Sequence, residues 1–202
     1  MTVSWIPHRF VGGVLALDTA NTVVLRIDPQ RTFDRFEDTA EIGRFAEAAG
    51  TFRADELGGR QLQACEPQRI APVVVAIREA TDCLLRNGVR EGALGTADLP
   101  LLLESCAQGL AGVREKIGAA EAPFGDPATP IAFEAALAVS ALSLLRPGVL
   151  ERLKICPNCG WLFTDKSRNG SRLWCDMAVC GNRRKASRHY KRRMAQREVD
   201  DV

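Results

Sequence analysis

No apolar run in the chain approaches the roughly 18 residues that a membrane-spanning helix needs. No basic segment leads into an apolar stretch and a small-residue cleavage site, so the sequence reads as a soluble protein without a secretory leader. There is no glycine-rich phosphate loop, no nucleophile elbow and no pair of carboxylates in a catalytic setting. Histidine is almost missing: His8 and His189 stand one near each end. These absences remove the usual machinery of hydrolases and transferases. No catalytic residue is assigned, and the chain is expected not to be an enzyme.

What is present is an ordinary globular composition, 46% hydrophobic and 26% charged over 202 residues, enough for one domain and a small second one. The net charge of +2 hides an uneven distribution. Residues 1–150 carry 14 Lys and Arg against 19 Asp and Glu, whereas residues 151–202 carry 13 against 6. A mildly acidic body with a basic C-terminal module suits an anionic partner contacted by the module.

That module contains four cysteines in the pattern C-x2-C, fifteen residues, C-x4-C: Cys156, Cys159, Cys175 and Cys180. Structural zinc requires four soft ligands at tetrahedral corners and no open position, which this set supplies, so one structural Zn2+ is expected. Gly160 follows the first pair and can take the positive φ of a tight metal knuckle. Cys180 is placed at or just before a helix start, with Asn182 as candidate N-cap. Knuckle, short hairpin and ligand-bearing helix together make a treble-clef-like finger. The alternative is two disulfides or four unrelated buried cysteines. With cysteines suited to metal, the chain reads as cytoplasmic.

Beyond Cys180 the basic residues Arg183, Arg184, Lys185, Arg188, Lys191, Arg192 and Arg193 follow in close succession. On a helix Arg184, Arg188, Lys191 and Arg192 form one stripe able to follow a phosphate backbone. Arg168 and Arg172, between the cysteine pairs, are candidates for further contacts, and Arg172, Arg183 and Arg184 are candidate readers of guanine. The alternative is a solvated tail, or arginines paired with the acidic body. Trp161, Phe163 and Trp174 are expected to pack beneath the metal.

These residues resemble the bacterial CGNR zinc-finger family, whose tetrapeptide here reads Cys180-Gly181-Asn182-Arg183. The likeness extends through Cys156 to Phe163, Asp165, Ser167-Arg168, Ser171-Arg172, Trp174-Cys175, Met177 and Lys185. The resemblance implies a DNA-binding finger preceded by an ABATE domain, described as a stress-induced transcription regulator. Leu15, Leu17, Asp18, Asn21 and Thr22 look like the signature of that domain. On a helix Asp18 and Asn21 share a face and are candidate ligand-binding residues; the competing reading gives both to local backbone groups.

The remaining chain reads as mostly helical. Val23–Ile27 and Thr32–Phe36 flank a turn at Asp28–Arg31, a candidate hairpin. Thr39 is expected to cap a helix closed by Gly50, and residues 69–87 show the i, i+3, i+4, i+7 recurrence of an amphipathic helix ended by Asn87-Gly88, with Pro72 in its first turn. Another helix spans about Thr96 to Leu110. Cys65, Cys83 and Cys106 read as small buried hydrophobes. Gly112–Pro130 reads as a loop, and Ile131–Leu145 as a buried central helix.

The expectation is therefore a mainly α (α+β) protein: a helical domain with a minor β-hairpin over 1–148, then a small zinc finger with a basic helix over 151–197. The function expected is DNA-binding transcriptional regulation, with the N-terminal domain sensing an unknown effector or forming a homodimer. An RNA-binding or ribosome-associated factor is the alternative, and a small-molecule-binding or enzymatic N-terminal domain with a protein-interaction finger is the other.

Overall fold

In the helix α5 (Phe133–Ser143) the residues are apolar nearly all round, and seven of its eleven are buried. Such a helix has no solvent face to offer and must lie inside. The computed structural model, which describes residues 2–113, 128–186 and 190, places it there. The helix α1 (Leu15–Ala20), α3 (Pro67–Glu91) and α4 (Leu99–Leu110) surround it, and α2 (Ala40–Phe52) closes one end with Phe45 against Phe133.

The strands are short. β1 (Val23–Val24) and β2 (Phe33–Asp34) form an antiparallel pair, the expected hairpin, with fewer paired residues than the flanking sequence suggested. β3 (Leu62–Gln63) and β4 (Ile131–Ala132) pair in parallel across the body, and a short helix α6 (Val149–Arg152) leads into the antiparallel hairpin of β5 (Leu153–Ile155) and β6 (Leu162–Thr164). The protein is mainly helical with a small cysteine-rich finger at its C-terminal end, as expected.

Several boundaries differ from the sequence reading. The helix α2 runs through Gly50 to Phe52, and Asp38, not Thr39, receives the N–H of Ala40. The helix α3 begins at Pro67 and passes through Gly88 to Glu91, ending at Gly92 with φ +76°. Pro72 therefore lies inside it. At Gly88 the missing side chain is the point: a Cβ would stand 2.6 Å from Leu94, so glycine serves packing there and not termination. Cys65 and Cys83 are exposed, against the expectation of buried hydrophobes; Cys83 faces Asp98 and Asn87 on the polar side of α3, and Cys106 is buried as expected. The helix after Thr96 begins at Leu99, and most of the expected Gly112–Pro130 loop lies outside the described residues.

Polar side chains tie these elements together. Glu56 and Ser140 accept the first N–H groups of α1, those of Leu15 and Ala16, which a helix start otherwise leaves unpaired. Arg78 grips Asp34 with both amino groups at 2.7 and 2.6 Å, holding the β1–β2 hairpin to α3, and Arg26 grips Glu79 likewise.

The finger is built into this body. Leu153 and Leu162 belong to the main apolar core, while Trp161 and Phe163 pack with the four cysteines, Val11, Val24 and Leu25. The alternation of a strand sends neighbouring side chains to opposite faces. β6 and its approach thus form a wall between two cores.

Candidate metal centre

Cys156 and Cys159 sit at the tip of the β5–β6 hairpin. The Cys156 N–H donates to the Trp161 carbonyl and the Gly160 N–H to the Cys156 carbonyl, both at 2.8 Å, which turns both thiols to one side. The turn requires φ +75° at Gly160, as the sequence suggested, and a Cβ there would stand 2.8 Å from Ile27.

Cys175 and Cys180 arrive from the other side. Between them Asp176 accepts the N–H groups of Ala178 and Val179, starting a tight turn over Met177–Gly181 in which the Cys180 and Gly181 N–H groups both return to the Asp176 carbonyl. Helix continues over 182–186. The capping residue is therefore Asp176. Asn182 lies beyond the turn and donates to the Ala178 carbonyl, because the Asp176 carboxylate already meets the free N–H groups of Ala178 and Val179.

The four sulfurs lie within 4.8 Å of one another, with Cys159–Cys175 and Cys175–Cys180 each at 3.5 Å. A tetrahedron with Zn–S bonds of about 2.3 Å has edges of about 3.8 Å. The set brackets that value, is buried throughout, and is far from the ~2.05 Å of a disulfide. Four thiols at this spacing cannot all ionise unaided. Donation from Cys159, then from Cys175 and Cys180, holds the Cys156 thiol far below its ordinary value, while contact with Cys156 pushes Cys175 and Cys159 up. A dication relieves that conflict by accepting four thiolates. The residues present fit one structural zinc ion, and four ligands leave no position for a substrate.

Around the thiols the loop 165–172 is organised by one ion pair. Lys154 donates to Asp165 at 2.7 Å and to the Gly170 and Arg172 carbonyls, and Asp165 accepts the N–H groups of Ser167 and Arg172 at 2.9 Å. The Lys154 ammonium and then Ser167 hold the Asp165 carboxyl well below the usual carboxylate range. Asp176 also receives His8 Nδ1 at 2.6 Å; burial pushes its carboxyl up, but His8 and the capped N–H groups outweigh that and leave it lowered. Sequence reasoning missed Lys154, the Asp176 cap and His8. The signal was partly visible, since Asp165 and Ser167 belong to the recognised pattern.

The candidate nucleic-acid residues divide. Arg168, Arg183, Arg184 and Lys185 are exposed. Arg172 is turned inward: its guanidinium donates to the Trp174 and Cys175 carbonyls and lies 5.2 Å over Phe163. Arg188, Lys191, Arg192 and Arg193 lie outside the described residues, as does His189.

Asp18 and Asn21 are both buried and do not converge. Asp18 accepts Gly12 N–H at 2.8 Å and Arg53 Nε at 2.5 Å; burial pushes its carboxyl up to about 7 against the pull of Arg53. Asn21 reaches the finger. Its Nδ2 donates to the Leu162 carbonyl at 2.8 Å and its Oδ1 accepts Leu162 N–H at 3.0 Å, so a side-chain amide takes the place of a neighbouring strand beside β6. The Gly12 carbonyl accepts Thr164 N–H, and from α3 the Arg86 guanidinium, fixed by Asp82 at 2.6 and 2.9 Å, donates to the Gly160 carbonyl.

Residues 152–193 match the family model of the CGNR zinc finger, which covers the finger and not the helical body. No curated protein and no solved structure matches the chain.

Proposed function

We propose that the protein is a DNA-binding regulator whose zinc ion holds a finger in shape and takes no part in chemistry. The observation that carries this reading is the position of Arg183, Arg184 and Lys185. They are exposed on the helical turn that begins directly after the ligand Cys180, so the metal anchors the turn that presents them. Cations fixed in this way meet phosphates without first losing the freedom of a tail. Arg168 is also exposed, on the loop between the cysteine pairs, and Arg188, Lys191, Arg192 and Arg193 continue the run in sequence.

In this reading the helical body is ABATE-like, senses an effector or dimerises, and the protein works in the cytoplasm of a bacterium under stress. No enzymatic step is assigned. Two half-sites read by a homodimer would supply the contact area that one small finger lacks.

The test is a binding selection by the zinc-loaded full-length protein on random duplex DNA near physiological salt, with RNA present as competitor. Enrichment of a two-fold symmetric motif is the expected result. Binding should weaken with salt at about −0.9 in log K per phosphate neutralised, and Arg184→Gln should reduce the slope by about that amount. Loss of duplex binding to the RNA competitor, or a flat salt response, would refute the reading.

A further inference from the structure

Beside the metal centre the N-terminal segment, the β1–β2 hairpin and the finger enclose a cleft of about 540 Å³. Its lining includes Arg9, Arg31, Arg35, Arg183 and His8, and no acidic residue. The other wall is apolar: Ile6, Val24, Leu25 and Trp161.

The charge in this cleft is handled unlike that of four buried or half-buried arginines of the helical body. Arg26, Arg53, Arg78 and Arg86 each close on a carboxylate at 2.5–2.7 Å. Among the described residues no carboxylate comes within ion-pair distance of Arg9, Arg35 or Arg183. Arg31 has only the distant Asp28 at 3.8 Å, and His8 is engaged by Asp176. Arg35 is the most constrained of the set. Its guanidinium lies 5.4 Å over Trp161, 5.7 Å over Phe33 and 6.0 Å over Trp5, and donates to the Asn21 carbonyl. Burial, and then the like charge of Arg9, lower its pKa to about 10. Two neighbouring guanidinium ions, one held among aromatic rings, repel each other with no carboxylate in ion-pair contact, only the longer-range pull of Glu41 on Arg9, and their planar donors match phosphate oxygens in pairs.

We propose that this cleft binds a small phosphorylated molecule of up to mononucleotide size, its phosphate held by Arg9 and Arg35 and its far side by Arg183. The volume lies within the range of small-molecule sites, roughly 300–1,000 Å³, and the apolar wall accommodates an organic body. Such a ligand touches the body through Arg9 and Arg35 and the basic turn through Arg183, so its occupancy biases the surface that the DNA reading assigns to the partner. Binding of the ligand stands without that reading; only its regulatory consequence rests on it.

The test is calorimetric titration of zinc-loaded full-length protein with adenosine monophosphate near physiological salt, with succinate as the carboxylate comparison and metal content checked at the end. One saturable site per chain for the nucleotide is expected, with weaker binding of succinate. Arg9→Gln and Arg35→Gln should each weaken it by about tenfold, the loss of one charge-assisted contact, while duplex binding persists. Arg9, at the rim, serves if Arg35→Gln fails to fold. No saturable binding, equal binding of succinate, or unchanged affinity in the Arg9 variant would overturn the proposal. Displacement of the nucleotide by duplex DNA, with both lost in the Arg9 variant, would make the cleft part of the DNA surface and overturn it as well. A failed DNA selection with intact nucleotide binding would refute only the DNA reading.

Discussion

Replacing Asn21 by Ala removes the two hydrogen bonds, at 2.8 and 3.0 Å, through which the end of α1 holds Leu162. Both sides of this contact are buried, Asn21 at 2% exposure and Leu162 at 0%, so water cannot replace the lost partner. The Leu162 N–H and carbonyl are then left unpaired, at about 1–3 kcal/mol each, and the expected loss is about 2–6 kcal/mol. For a protein whose whole stability is of the order of 5–15 kcal/mol, that is a large part. The assay is urea unfolding of the zinc-loaded protein, followed by far-UV circular dichroism and, in the same titration, by zinc release to a coloured chelator. In the wild type the two signals should coincide; in Asn21→Ala the midpoint should fall and zinc should leave before the helices melt. Asn21→Asp, which keeps an acceptor and loses the donor, should be at least as damaging. A shift below about 0.5 kcal/mol, the level of an ordinary surface substitution, with the two signals still coincident, would refute the reasoning and return Asn21 to the role of a ligand contact.

Chelation of zinc, or Cys159→Ser, should loosen the finger and also lower the melting temperature of the helical body, because Leu153 and Leu162 belong to its core; an unchanged body melt would count against the shared wall. Gly160→Ala should cost about 2 kcal/mol or more, from positive φ and the 2.8 Å approach of its Cβ to Ile27, read as a lowered urea midpoint. Burial raises the Asp18 carboxyl from 3.8 to about 7, so the folded state holds a proton that the unfolded state has already lost in that window. Its contribution to stability is full below 3.8 and declines as pH rises towards about 7. Asp18→Asn should flatten that part of the stability profile, and a slope equal to the wild type would exclude it.

The metal ligands, the Gly160 turn, the long amphipathic α3 and the buried α5 were legible because each is written in local spacing: paired cysteines, a glycine after the pair, and apolar periodicity. What could not be read depends on distant partners. The parallel pairing of Leu62 with Ile131 brings together residues far apart in the chain, and Asn21 meets Leu162 across a separation of 141 residues. Glycine misled twice, since Gly50 and Gly88 lie within continuous helices, and only at Gly88 does close packing account for it. Arg172 stood in a basic sequence yet faces two backbone carbonyls and Phe163, because a flexible side chain goes to the nearest unpaired acceptors. Asp176 and Asn182 both suit a cap, and only the course of the turn decides between them.

The wall formed by β6 also bears on how this finger can be handled as a part. Cut free near residue 150, it would carry Leu153 and Leu162, exposed by no more than 3% in the whole chain, into water, and would lose the Asn21 amide and the Arg86 guanidinium that close its edges. The zinc ion can gather four thiolates in such a fragment, but it cannot cover that apolar side. The finger is therefore not a transferable cassette: grafted onto another protein it would need a replacement for the missing face.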